Sequence, residues 1–177
     1  ICNVYGLTEG YGNSAVTDAA APLEHRLTAS GEPLDGVELR IVDLDCGQAL
    51  PQGAVGEIAL RGRVTPGYLN DTVATANSRT ADGFFLTGDL GLLDEKGWVQ
   101  FQGRAKELIK SGGINIAPAE IEAVLREHGS VDSVFVTGLA DARLDEAIGA
   151  VVILHPGMAA TEGELRTFCR QSLASYK

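Results

Sequence analysis

The segment of residues 103–113 limits the possible folds of this chain more than any other stretch, because the sequence changes character there. Upstream, short runs with strand-like alternation are separated by glycine turns, whereas downstream helix-period and strand-period segments alternate. The segment places Arg104, Lys106 and Lys110 within seven residues of an otherwise acidic chain. Gly112 and Gly113 follow, and glycine lets the backbone approach a ligand closely. These observations predict an anion-binding site at a junction between two domains.

Composition excludes several classes of protein. The chain has 177 residues and a formal net charge of -10, which argues against broad binding to nucleic acid or to anionic membranes. Cys2, Cys46 and Cys169 are far apart and lack metal or redox spacing, so we expect reduced thiols in a cytoplasmic protein. No segment approaches the roughly 20 apolar residues of a membrane-spanning helix. Because the chain opens with Ile1 inside an apolar run, we expect it to be a piece of a longer protein.

The first part of the chain, residues 1–102, is predicted to be rich in antiparallel strands. Turn signals separate short alternating runs, which are typical of a small sheet or partial barrel. The predicted strands are residues 37–42, 56–61, 91–93 and 98–101. One helix is predicted at residues 71–78, with Asp71 as its N-cap.

The second part, residues 103–177, is predicted to be a small α+β domain with a short sheet and flanking helices. A helix is expected at residues 117–125 with Pro118 in its first turn, and strands at 131–136 and 147–154, the second of them buried. Thr161 and Glu164 form a capping box before a last helix. The predicted buried stripe of that helix is Leu165, Phe168, Cys169 and Leu173. The fold class is therefore α+β.

A glycine-rich loop follows the first predicted strand in the motif Tyr5-Gly6-Leu7-Thr8-Glu9. Such a loop presents backbone N–H groups, the Thr8 hydroxyl and the Glu9 carboxylate together. These groups suit a phosphate and its Mg²⁺ ion, with Glu9 as a hard oxygen ligand for the metal. The alternative is that Thr8 and Glu9 are solvated turn residues.

A second motif, Thr87-Gly88-Asp89, ends an apolar run in a predicted turn. The carboxylate of Asp89 could accept hydrogen bonds from both hydroxyls of a ribose. The alternative is a structural aspartate that accepts hydrogen bonds from its own backbone. Lys106 and Lys110 have a similar alternative, as two solvated charges four residues apart. His25, His128 and His155 lie singly and predict neither a catalytic triad nor a metal site.

These motifs, in this order, resemble those of the AMP-forming adenylating enzymes, and the resemblance runs from Tyr5 to Lys177. That family includes acyl- and aryl-CoA synthetases, peptide-synthetase adenylation domains and luciferases. The resemblance implies ATP or AMP as ligand, with Tyr5 beside the adenine, Thr8 at the α-phosphate and Glu9 on Mg²⁺, and it includes Gly6 among the nucleotide-binding residues. It also implies that Asp89 and Arg104 bind the ribose.

The resemblance assigns roles in the second part of the chain as well. Lys106 matches the hinge about which the family's C-terminal domain rotates between two half-reactions. Gly112 and Gly113 match glycines along the tunnel for the pantetheine arm of coenzyme A, and Lys110 resembles a lysine that luciferases present after rotation. A phosphate loop and a catalytic lysine of the family have no counterpart in these 177 residues, and Lys177 matches a position just before that lysine's segment.

The reaction implied has two halves: a carboxylic acid and ATP give an acyl-adenylate and pyrophosphate, and a thiol then displaces AMP. The segment from Ser111 to Glu122 resembles acyl- and aryl-CoA synthetases most, which implies coenzyme A as acceptor. One alternative is a peptide-synthetase-type or stand-alone adenylation domain that loads a carrier protein. Another is that this chain alone is a noncatalytic piece of such an enzyme. The acid itself is not predicted.

Overall fold

The computed structural model describes residues Ile1–Lys177 and divides into two compact units, Ile1–Ala105 and Lys106–Lys177. Both units combine antiparallel sheets with short helices, so the predicted α+β class is confirmed. The second unit begins at Lys106, whereas the sequence placed the second domain from Gly103 onward. The difference arises because Gly103 and Arg104 complete the last strand of the first unit.

The first unit contains seven strands, two helices and a 3₁₀ turn at Thr8–Gly10. The strands are β1 (Val4–Leu7), β2 (Gly12–Val16), β3 (Glu32–Pro33), β4 (Val37–Val42), β5 (Gly56–Gly62), β6 (Phe85–Leu93) and β7 (Val99–Arg104). The helices are α1 (Leu23–Thr28) and α2 (Thr72–Asn77). β1, β2 and β3 form one sheet, and β4 to β7 form a four-stranded sheet in chain order.

The core of the first unit lies on β5. Ile58 and Leu60 are fully buried and are in register with Ile41 and Leu39 of β4. Tyr5 of β1 joins the same cluster. Each buried side chain of this size stabilises the fold by roughly 1.5–3 kcal/mol. The cluster therefore connects the first motif of the sequence to the four-stranded sheet.

The predicted turn at Thr87-Gly88-Asp89 is wrong, because this motif lies inside β6. Ala59 of β5 is in register with Leu86, and Glu57 with Leu90, so Ile58 alone faces three residues of β6. The extra residues form a β-bulge, which bends a strand without ending it. Sequence alternation cannot show a bulge of this kind, because the bulge depends on the partner strand.

The second unit contains β8 (Ile109–Ser111), β9 (Ile114–Ile116), α3 (Pro118–Arg126), β10 (Val131–Asp141), β11 (Asp145–Leu154) and α4 (Glu162–Ser172). A 3₁₀ turn at Ala105–Glu107 precedes β8. The sheet order is β10-β11-β8-β9, with every pair antiparallel. Its core comprises Ile109, Ile116, Ile121, Leu125 and Val136.

The local signals that predicted where three helices begin are confirmed. The Asp71 side chain accepts a hydrogen bond from the Ala74 N–H at 2.8 Å and caps α2. Pro118 occupies the first turn of α3. The Thr161 hydroxyl and the Glu164 carboxylate form the expected capping box on α4.

Two burial predictions in the second unit are wrong. The strand at 147–154 is not buried on both faces, because Val151 and Ile153 are 65% and 58% exposed. Only one face of β10 and β11 packs against the helices, through Val136 and its neighbours. The apolar stripe of α4 is only partly buried, although Leu165, Cys169 and Leu173 do pack against the core of this unit. None of the four helices has the length and apolar character to cross a membrane.

Candidate functional site

Three residues from separate motifs meet at Asp89, in the middle of β6. Asp89 is in register with Arg104 of β7, and the Arg104 Nε lies 3.2 Å from Asp89 Oδ1. The Tyr5 hydroxyl donates a hydrogen bond to Asp89 Oδ2 at 2.9 Å. Tyr5 and Asp89 are 6% and 4% exposed, whereas the Arg104 side chain is about half exposed. A buried carboxylate is thus held between a neutral donor and a cation.

One oxygen of Asp89 has no hydrogen-bond donor. Asp89 Oδ1 is buried and receives no hydrogen bond, since Arg104 contacts it at an angle that does not form one. Nearly all buried polar atoms in proteins find a hydrogen-bond partner, and the cation of Arg104, 3.2 Å away, is the charged neighbour of this oxygen. The carboxylate borders a cavity of about 370 Å³ that Tyr5, Gly6, Asp89 and Arg104 help to line.

The Tyr5 hydroxyl stays protonated at neutral pH. Burial, together with the nearby Asp89 carboxylate, raises the pKa of Tyr5 well above its usual value. The ring packs in the core cluster of the first unit. Tyr5 therefore acts in this structure mainly as a buried donor to Asp89, and little of its ring faces the cavity.

The bulge that presents Asp89 is held by side chains as well as by strand pairing. The Thr87 hydroxyl donates to the Ile58 carbonyl at 2.7 Å and accepts from the Asp89 N–H at 3.2 Å. The Gly88 N–H donates to Glu57 Oε1 at 2.7 Å. Asp89 is therefore not the self-bonded turn aspartate of the alternative interpretation.

Thr8 and Glu9 lie on the 3₁₀ turn that follows β1. Thr8 is exposed, and Glu9 is half-buried. The Tyr68 hydroxyl donates to Glu9 Oε1 at 3.3 Å, and the Glu9 carbonyl accepts from the Thr65 N–H at 2.7 Å. Burial and the Glu9 carboxylate raise the pKa of Tyr68, so Tyr68 remains a donor.

The Glu9 carboxylate has the chemistry of a magnesium ligand, because Mg²⁺ takes hard oxygen donors. Glu9 does not belong to any cluster of three or more potential metal-ligating side chains.

The remaining predicted site residues belong to the second unit. Lys106 and Lys110 are exposed, and neither forms an ion pair within the chain. Gly112 and Gly113 have φ values of 58° and 80° and form the tight turn between β8 and β9. A two-residue hairpin turn with positive φ at both positions favours glycine, which gives these glycines a structural reason in addition to any ligand. Their ligand roles stay predictions.

Sequence reasoning missed Glu57 and Tyr68. Glu57 contacts Gly88, the neighbour of the predicted site residue Asp89, and Tyr68 contacts the predicted site residue Glu9. The two partners lie 31 positions apart along the chain in the first pair and 59 in the second. Glu57 is an ordinary polar position in an alternating strand, and Tyr68 lies in a loop. No signal in the sequence singles them out.

A larger cavity of about 450 Å³ lies elsewhere in the first unit, lined in part by Glu32, Asp35, Arg63 and Trp98. It contains none of the predicted site residues. Its size therefore does not make it the functional site, and the cavity beside Asp89 is the stronger candidate because motif residues converge there.

Fold and site together define a class: an antiparallel α+β protein with a buried carboxylate, presented on a strand bulge, beside a polar cavity. Known proteins resolve the class further. Residues 1–69 match the family described as AMP-binding enzyme, and residues 120–177 match the AMP-binding enzyme C-terminal domain. The chain belongs to the AMP-binding enzyme family, which confirms the resemblance drawn from the motifs.

Curated relatives agree. The chain is 36% identical over 175 residues to 4-coumarate--CoA ligase 4 of Arabidopsis thaliana, covering 98% of this chain and 31% of that protein. It is also 36% identical over 187 residues to the mitochondrial medium-chain acyl-CoA ligase ACSF2 of Danio rerio, covering 100% of this chain and 31% of that protein. The chain therefore spans about a third of the length of these relatives.

Solved structures give the same result. ATP-bound MatB from Rhodopseudomonas palustris superposes with a TM-score of 0.92 at 34% identity, covering 100% of this chain and 35% of that one. The o-succinylbenzoate CoA synthetase MenE of Bacillus subtilis, in complex with its acyl-adenylate intermediate, gives a TM-score of 0.83 at 35% identity, covering 99% and 35%.

Proposed function

We propose that the protein containing this chain is an ATP-dependent, AMP-forming ligase that joins a carboxylic acid to coenzyme A. In the first half-reaction an oxygen of the carboxylate attacks the α-phosphorus of ATP, and pyrophosphate leaves. In the second, the thiolate of coenzyme A attacks the acyl carbon, the bond to the phosphate oxygen breaks, and AMP leaves. The names of the similar CoA ligases support this reaction type.

The observation that best supports the proposal is the convergence of Tyr5, Asp89 and Arg104 on one buried point. These residues come from three separate motifs, and Asp89, whose buried Oδ1 is an acceptor without a hydrogen bond, is among the residues that line a polar cavity. A ribose hydroxyl is a donor of the right kind for this acceptor. Arg104 then contributes positive charge on the same side, close to the nucleotide.

Thr8 and Glu9 would act on the phosphate side. The Thr8 hydroxyl is exposed and free to donate to an α-phosphate oxygen. Glu9, held by Tyr68, would be the protein ligand of Mg²⁺, which supplies positive charge where two anions must approach each other. Positioning and charge neutralisation are the main contributions that such a site can make to phosphoryl chemistry.

The second unit would act in thioester formation. Lys106 is the first residue of that unit, in agreement with a hinge at this position. The turn at Gly112 and Gly113 has no side chains, so it would leave room for the pantetheine arm. Lys110, exposed on β8, would present its cation during this half-reaction.

The acceptor needs its own test, because a phosphopantetheinyl carrier protein has the same thiol as coenzyme A. The intact protein should form AMP and a thioester with free coenzyme A. Transfer to a carrier protein but not to coenzyme A would favour the peptide-synthetase-type alternative. Short, long and aromatic acids should be screened in the same assay, since the acid is not predicted.

The experiment that tests the proposal is coenzyme A-dependent AMP release by the intact protein, with and without Glu9→Gln. Loss of the carboxylate should reduce turnover at least 100-fold, because the amide is a poor magnesium ligand. Glu95→Gln is a matched control, since Glu95 is an exposed turn residue outside the site. Full turnover by the Glu9 variant would remove Glu9 from the metal site, and no AMP release with any acid would contradict the proposed function.

A further inference from the structure

The bulge in β6 has a second support besides Thr87, and this support comes from Glu57 of β5. No residue of β5 is in register with Gly88, yet the Gly88 N–H donates to Glu57 Oε1 at 2.7 Å. Gly88 has a φ of 73°, and a Cβ there would meet no atom within 4 Å. Glycine is therefore needed at this position for its backbone conformation and not for space.

The hydrogen bond holds the peptide between Thr87 and Gly88, and the Gly88–Asp89 peptide follows it in the bulge. A residue with positive φ can relax to other conformations unless its neighbours hold it, and glycine has more freedom to do so than any other residue. The direction of the Asp89 carboxylate depends on this peptide. Tyr5 and Arg104 can hold the carboxylate only after the bulge has placed it between them.

Glu57 is in an electrostatically unfavourable place. Its side chain is half-buried, and burial, then the nearby Asp89 carboxylate, raise the pKa of Glu57. The hydrogen bond from Gly88 is the interaction that opposes this cost and favours the charged form. A solvated surface glutamate would have none of these properties.

We propose that Glu57 is a positioning residue of the nucleotide site, whose carboxylate holds the Gly88 peptide so that Asp89 Oδ1 faces the ribose. The inference rests on the proposed function, because the ribose is that of ATP or AMP. Glu57 does not touch the nucleotide. Its contribution should therefore appear as selectivity for the ribose hydroxyls and not as a direct role in chemistry.

The test compares binding of AMP, 2′-deoxy-AMP and 3′-deoxy-AMP to the intact protein by isothermal titration calorimetry. The unchanged protein should bind AMP more tightly than at least one deoxy analogue. Glu57→Ala should weaken AMP binding roughly tenfold, the size expected for one lost hydrogen bond to a charged group, and should bind that analogue nearly as well as AMP. Glu57→Gln, which keeps an acceptor oxygen, should restore most of the affinity and the selectivity.

Glu38→Ala is the matched control. Glu38 lies on β4 of the same sheet and forms an exposed ion pair with Arg61, away from the bulge. This variant should bind AMP and both analogues as the unchanged protein does. If Glu57→Ala kept full selectivity for the ribose hydroxyls, or if Glu57→Gln were as impaired as Glu57→Ala, the inference would be overturned.

The binding assay separates this inference from the proposed reaction. AMP binding with ribose selectivity, but without AMP release from any acid, would contradict the ligase activity and support the role of Glu57. Failure of the unchanged protein to bind AMP would overturn the nucleotide site and this inference with it. Faster amide hydrogen exchange at Gly88 in Glu57→Ala than in Glu57→Gln would support the inference even if the Ala variant is less stable overall.

Discussion

At the scale of single residues, the state of Asp89 determines what the site can bind. The Tyr5 hydroxyl occupies Oδ2, and Arg104 lies beside Oδ1 without a hydrogen bond to it. The carboxylate therefore has one oxygen without a hydrogen bond, and its direction is set by neighbours on three strands. Substitution of any of these neighbours should change ligand binding, even where the substituted residue does not itself touch the ligand.

Tyr5→Phe should leave Asp89 Oδ2 buried without its donor. An unsatisfied buried acceptor costs about 1–3 kcal/mol, so the variant should be less stable by that amount and should bind AMP more weakly. Thermal denaturation and AMP titration of the intact protein measure the two effects. Tyr176→Phe is the control, because Tyr176 is 50% exposed. Removal of its hydroxyl should change neither the thermal stability nor the affinity for AMP. Equal behaviour of the two variants would show that the Tyr5 hydroxyl does not hold Asp89.

Glu57→Gln should have an effect on stability that depends on pH. Burial raises the pKa of Glu57 above its unfolded value, so folding favours the protonated acid. This contribution is fully present below the unfolded pKa of about 4.5 and is lost as pH rises through the higher folded pKa. The glutamine variant has no such loss. Its melting temperature relative to the unchanged protein should therefore be higher at pH 7 than at pH 4, and the reverse order would contradict the burial of a charged Glu57.

At the scale of elements, the hairpin of β8 and β9 depends on the turn between β10 and β11. The Gly112 N–H donates to the Leu144 carbonyl at 2.8 Å, and Ser111 is in register with Asp145. The Lys110 N–H donates to Glu146 Oε2 at 2.6 Å. These contacts hold the glycine turn in place within the second unit.

Substitution of Gly113 separates the turn's conformation from its lack of a side chain. Gly113→Ala and Gly113→Leu share the strain of a Cβ at a φ of 80°, so both should destabilise the hairpin similarly, by roughly 1 kcal/mol. Only leucine adds bulk. In the intact protein, Gly113→Leu should slow thioester formation more than adenylation, and more than Gly113→Ala does. Single-turnover assays of the two half-reactions measure this, and equal slowing of both half-reactions would count against a tunnel at Gly113.

The sequence predicted those elements whose signals are local. Asp71, Pro118 and the pair Thr161 and Glu164 mark helix starts through contacts within four residues, and all were confirmed. The bulge at Gly88 could not be predicted, because it depends on how β5 and β6 pair. Exposure of Val151 was missed because an apolar run does not reveal which face of a sheet is covered.

For the candidate site too, the sequence predicted what local motifs signal and missed what depends on contacts between distant residues. The motif residues were identified through their resemblance to a family, and the structure places Tyr5, Asp89 and Arg104 together. Glu57 and Tyr68 were missed because each forms a hydrogen bond to a residue far away along the chain. Nothing in the local sequence links the two partners of either bond. Their predicted roles come from the three-dimensional arrangement alone.

At the scale of the whole molecule, the chain has two compact units and spans about a third of the length of its relatives. The cluster of Tyr5, Asp89 and Arg104 lies in the first unit, and the glycine turn proposed for the thiol lies in the second. The net charge of -10 makes local features such as Arg104 and the open turn at Thr8 necessary for any anionic ligand.

The 177-residue chain by itself should not exchange pyrophosphate into ATP with any carboxylic acid. The family resemblance implies a phosphate loop and a catalytic lysine that have no counterpart among these residues, and both would supply cations for the first half-reaction. Radiolabelled pyrophosphate exchange with the purified chain measures this. Robust exchange would contradict the expectation that the first half-reaction needs a phosphate loop and a catalytic lysine in addition to the residues of this chain.

The measurement that tests the central claim most directly is a crystal structure of the intact protein with AMP bound. We predict that a ribose hydroxyl lies about 2.5–3.0 Å from Asp89 Oδ1, with the Tyr5 hydroxyl still on Oδ2 and the Gly88 N–H still on Glu57. A nucleotide bound elsewhere, with Asp89 Oδ1 still lacking a donor, would contradict the account.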